Sequence, residues 1–152
     1  MTRFPSILLS VLLLAGCARR EIEVSPPPPD NGYTARLVAV KQQYPFARWY
    51  ANGASMEQYS KANCDAVVRV FDRLINRLAN LGADASEPAK LAAFREAIET
   101  LNGMNSVPPR NLIETEEADE LCELCNQIAL AAGLDPKKYG HGEGPASEWR
   151  DW

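Results

Sequence analysis

The stretch MEQYSKANCDAVVRVFDRLINRLANL, residues 56–81, decides the fold. Within it Cys64, Val67, Phe71, Leu74, Leu78 and Leu81 recur at spacings of three and four, and Val70 and Ile75 widen the stripe. That period puts them on one face of an α-helix, whereas a strand would alternate at every second residue. Asp65, Arg69, Asp72, Arg73, Asn76 and Asn80 fall largely on the other face. Gly82 follows, a residue that accepts the positive φ at which helices stop. A long amphipathic helix from about Met56 to Leu81 is expected.

Downstream, Ser86-Glu87-Pro88 supplies a cap, an acid and a first-turn proline for a second helix. Leu91, Phe94, Ile98 and Leu101 form its apolar stripe, and Gly103 reads as its stop. A loop with Pro108 and Pro109 leads to Thr115, expected as the cap of a third helix. Glu116 and Glu117 place negative charge at its electropositive start. Leu121, Leu124, Cys125 and Ile128 carry its apolar face, and Gly133 ends it.

Upstream, residues 34–43 make a short helix that stops before Tyr44-Pro45, and residues 44–55 read as an aromatic connector with Phe46, Trp49 and Tyr50. No useful period-2 alternation occurs, so the expected fold class is all-α: a small bundle of three to four main helices over residues 33–152. In the final segment Asp135-Pro136 opens a turn, and the run Gly140-His141-Gly142-Glu143-Gly144 reads as flexible. Trp149 and Trp152 so close to the end argue for a docked terminus, since free tails are usually polar.

The 152 residues fit one domain, and the net charge of −4 gives no electrostatic reason for a nucleic-acid partner. The first residues have a different character. Arg3 precedes the apolar run Ile7-Leu8-Leu9-Ser10-Val11-Leu12-Leu13-Leu14, too short for a hydrocarbon core that takes about 20 helical residues. It fits the central region of a secretory signal instead. The run ends in Leu14-Ala15-Gly16-Cys17, which resembles the lipobox of bacterial lipoproteins.

That resemblance implies removal of residues 1–16 as a signal peptide and a thioether-linked diacylglycerol on Cys17. It also implies a further amide-linked fatty chain of the palmitate kind. Two or more buried chains anchor durably where one holds only marginally. Ala18, rather than Asp, after the cysteine resembles the outer-membrane pattern of Gram-negative lipoproteins. Residues 17–32, with Pro26-Pro27-Pro28-Pro29, read as an extended tether of at most roughly 45 Å. A weaker likeness lies further on. Tyr44-Pro45-Phe46, Trp49-Tyr50, Ile113-Glu114-Thr115-Glu116-Glu117 and Glu148-Trp149-Arg150-Asp151-Trp152 look like an uncharacterised family of small bacterial helical domains, over residues 43–152. This implies an all-α fold and no site.

With Cys17 acylated, Cys64, Cys122 and Cys125 remain as thiols. Cys122-Glu123-Leu124-Cys125 is formally a C-x-x-C pair, but a reactive thiolate needs a helix N-terminus, and Cys122 lies about two turns in from Thr115. Zinc would need a fourth ligand, and His141, the one histidine, sits in a glycine run rather than at helical spacing. Two readings of the cysteines stand: a disulfide from Cys64 to Cys122 or Cys125, or three buried thiols acting as small hydrophobes. The acidic run from Glu114 to Glu120 reads as a helix start with a solvated face.

Trp149 and Trp152 are candidates for partner binding as well as for core docking. No catalytic constellation and no cofactor are expected. The reading is a non-enzymatic, membrane-anchored envelope domain that binds an envelope or secreted protein. The alternatives are a small thiol or metal protein using Cys64, Cys122, Cys125 and His141, or a structural envelope component.

Overall fold

A computed structural model describes residues 32–53, 55–107 and 111–152. The expected signal peptide, Cys17, residues 18–31 of the expected tether and the Pro108-Pro109 stretch lie outside the described residues. Among those described, the chain is all-α with no strand. Helix α1 spans Tyr33–Ala39 and continues as a 3-10 turn over Val40–Gln43, and α2 spans Phe46–Asn52. Three long helices follow: α3 over Lys61–Leu81, α4 over Glu87–Ser106 and α5 over Thr115–Ala131.

The aromatic connector thus contains a helix of its own. Pro45 supplies the helical φ at its threshold, and Phe46 and Trp49, three apart, turn inward to be buried. Helix α3 begins five residues later than the apolar pattern suggested. Ser60 is its cap, accepting from the Asn63 amide, and residues 57–59 before it form a separate 3-10 turn. At the other boundary Gly103 does not stop α4. It faces open space and keeps helical backbone, so the helix runs on to Ser106, just before the Pro108-Pro109 pair. Nor is Thr115 the cap of α5. Glu114 holds that position in extended conformation, and the Glu117 carboxylate reaches back to accept from the Glu114 amide at 3.3 Å.

The stripe on α3 is the floor of the core. Val67, Phe71, Ile75 and Leu78 are fully buried, against Phe94, Ile98 and Leu101 of α4 and Leu121 and Ile128 of α5. Each such side chain contributes about 1.5–3 kcal/mol by leaving water. The long helices alternate in direction. Tyr33 lies at the end where α3 finishes, Tyr44 bonds Asp72 midway along α3, and Trp49 lies against Tyr59 where α3 begins. The α1–α2 arm therefore runs antiparallel to α3 and lies against α5 as well.

The residues after α5 fold back as a strap over α4 and α5. The glycine run expected to be flexible is instead packed: the Gly140 amide donates to Glu148 at 2.6 Å, and Asn126 of α5 donates to the Glu143 carbonyl at 3.1 Å. Gly144, at φ +115°, lies so close to Asn126 that no side chain fits. Asn102 of α4 clasps the end of the strap, donating to the Trp149 carbonyl and accepting from the Asp151 amide.

Candidate functional site

The three thiols do not assemble into a reactive centre. Cys64 is buried on α3 with its sulfur 3.6 Å from the Tyr59 carbonyl, Cys125 is buried on α5, and Cys122 is half-buried, all as free thiols. Burial pushes each of them up from the ordinary thiol range. Asp65 adds to the effect at Cys64, and Asp119 and Glu143 add to it at Cys122, where the Arg150 charge opposes it. A nucleophilic thiolate needs the opposite environment. His141 sits exposed at φ +56° in a 3-10 turn of the strap. Among the described residues no group of three His, Cys, Asp or Glu side chains could hold a metal ion.

The candidate partner-binding tryptophans are both half-buried and packed on the core rim. Trp152 borders an open cleft of about 540 Å³ with Ile113, Glu114, Thr115, Asp119 and Arg150. The Arg150 guanidinium lies over the Trp152 ring, 5.7 Å from its centre, and donates to the Trp152 carbonyl. The strap thus holds its own last residues in place by a cation–π contact and a hydrogen bond.

The most developed polar site is one the sequence did not single out. Trp49 of α2 donates its indole N–H to Glu120 of α5 at 2.6 Å, and Arg48 pairs with the other carboxylate oxygen. These groups, with Gly53, Met56, Tyr59, Glu116 and Glu117, line a cleft of about 140 Å³. Tyr59 is pushed up by burial and by the neighbouring Glu117 carboxylate, so its hydroxyl stays protonated. Of the acidic run, Glu117 and Glu120 therefore face partners within the chain, while Glu116 and Asp119 are exposed. The other side of α2 is apolar: Phe46, Ala47, Tyr50, Cys64 and Val68 line a cleft of about 250 Å³. The Lys61–Asp65 ion pair, 2.7 Å, lies at its rim.

Two signals pointed here in the sequence: an indole that needs an acceptor once buried, and carboxylates beyond what a helix start requires. Neither reveals that α2 and α5 are neighbours. No protein-family model, curated protein or solved structure matches the chain. What the fold defines is a class, a small all-α domain closed by a C-terminal strap.

Proposed function

We propose that the chain is a bacterial lipoprotein, acylated at Cys17 and held on the cell envelope, whose helical domain binds another protein. The observation that carries this reading is Leu14-Ala15-Gly16-Cys17 placed directly after a short apolar run. Two further facts support it. Among the described residues no helix is long and apolar enough to cross a membrane, and acyl chains on Cys17 would hold the domain there without one. The first described helix begins at Tyr33, and the sequence before it carries a proline-rich stretch suited to a spacer.

Protein binding, rather than catalysis, is favoured by the raised thiols and by the clefts that flank α2. In a Gram-negative cell the anchor places the domain on the outer membrane, facing the periplasm. Mass spectrometry of the mature N-terminus tests the anchor. Acylated Cys17 as the first residue is expected, and an unmodified cysteine or any other start overturns it. Cys17→Ser is expected to leave unprocessed precursor or protein released into the aqueous fraction.

A further inference from the structure

The two clefts beside α2 lie at the end of the bundle where α3 and α5 begin, and the tether joins at the other end. The length of α3 separates them, roughly 30 Å at 1.5 Å per residue. Tyr50 and Met56, 46% and 45% exposed, stand on either side of the α2 ridge. Each borders a cleft, an apolar one on the Tyr50 flank and an acidic one on the Met56 flank. Three carboxylates, Glu116, Glu117 and Glu120, line the acidic cleft against one cation, Arg48, which pairs with Glu120, and Glu116 is the exposed one.

We infer that the α2 ridge is the docking surface of the domain, and that it takes a protein segment carrying an apolar side chain for the Phe46–Tyr50–Val68 cleft and a Lys or Arg for the Glu116–Glu120 cleft. This deepens the protein-binding reading and rests on it. Charge complementarity selects the partner: an acidic or neutral segment gains nothing from the Glu116 side, and anionic lipid is repelled by it. Geometry sets the spacing. Crossing α2 takes about 10 Å, which is the reach of seven residues along one helix face or three along a strand. A basic segment with its apolar and cationic groups at that separation meets both clefts at once.

The test uses the full-length chain in detergent and three synthetic helical peptides labelled for fluorescence anisotropy. One carries Leu and Lys on one face seven positions apart, the second has Glu in place of Lys, and the third Ser in place of Leu. The Leu/Lys peptide is expected to bind at least ten-fold more tightly than either control and to weaken as salt rises. Tyr50→Ser and Glu116→Lys, both at exposed positions, are each expected to weaken it at least five-fold, the first without altering the thermal melt and the second lowering it only slightly, by reversing a charge at the start of α5. Equal binding of all three peptides, no binding of any, or affinity untouched by both substitutions overturns the surface. Mass spectrometry of the same preparation separates the two ideas. Acylated Cys17 with no peptide bound removes the docking surface and leaves the anchor, whereas specific binding by an unmodified chain does the reverse.

Discussion

Lys90 reaches across the bundle to Ala132, its ammonium donating to the carbonyl that caps α5 at 2.9 Å. A second bond, 2.7 Å, goes to the Ala83 carbonyl just past the end of α3, and the Tyr33 ring lies 5.4 Å away. Only 5% of Lys90 is exposed, and no carboxylate pairs with it among the ion pairs of the described residues. The negative ends of two helices and an aromatic face take the place of a counter-ion. One side chain near the start of α4 thereby ties α1, α3 and α5 together.

Lys90→Met removes the donors while keeping much of the bulk, and it leaves two carbonyls short of a partner. The expected loss is about 3 kcal/mol, or roughly 10 °C in Tm. Thermal and urea unfolding followed by circular dichroism measure it. An unchanged midpoint would mean that the ammonium does not hold the helix ends.

Alkali is expected to unfold the domain through its buried phenols. Tyr139 is pushed up to about 12, first by burial and then by the Glu87 carboxylate. Tyr33, Tyr44 and Tyr59 are also pushed up, each chiefly by burial. Their folded-state values exceed the ordinary phenol value of about 10, so folding favours the neutral form. The stability this supplies is complete below about pH 10 and is lost as pH climbs toward 12 and beyond. Absorbance at 295 nm and circular dichroism, titrated together, should show these tyrosines ionising with unfolding and not before it.

Gly144→Ala would drive a methyl group into the Asn126 side-chain oxygen, at a φ of +115° that side chains avoid. Strap and α5 must then separate. A loss of about 2 kcal/mol or more is expected, with red-shifted fluorescence from Trp149 and Trp152 as the strap loosens. A shift in Tm with unchanged emission would place the strain elsewhere.

Counting thiols checks burial and acylation in one measurement. In the native state Cys64 and Cys125 are expected to be silent toward a thiol reagent at pH 8, with Cys122 slow, because burial raises all three. In denaturant an acylated chain with all three reduced releases three thiols, and an unmodified Cys17 adds a fourth. Rapid native reaction at Cys125 would contradict its position in the core.

Periodicity revealed most of the frame: the α3 stripe is buried from Cys64 to Leu78, the Ser86 cap and the helix-ending Gly82 stand where the pattern put them, and only Leu81, the last of the expected stripe, is exposed where α3 ends. Each misplaced boundary has its own local cause. Met56 prolonged the α3 pattern, yet Ser60 offered its side chain as a cap and began the helix later. Gly103 looked like a stop, but an exposed glycine with helical backbone costs only about 1 kcal/mol, which Leu101 and Met104 on either side outweigh by packing. The site was less legible. Lys90 sits where a solvated lysine is ordinary, and its burial depends on two helix ends 7 and 42 residues away. Trp49 and Glu120, 71 positions apart, meet only because α2 lies over the start of α5.

The alternating course of the helices has a mechanical corollary. Tension applied between Tyr33 and α2 would be carried by the arm that joins them, α1 and the 3-10 turn after it, and would not load α3 end to end. The arm lies along α3 and α5, so it would have to be pulled off both before it could straighten. The three long helices stand outside that line of force and would keep their packing.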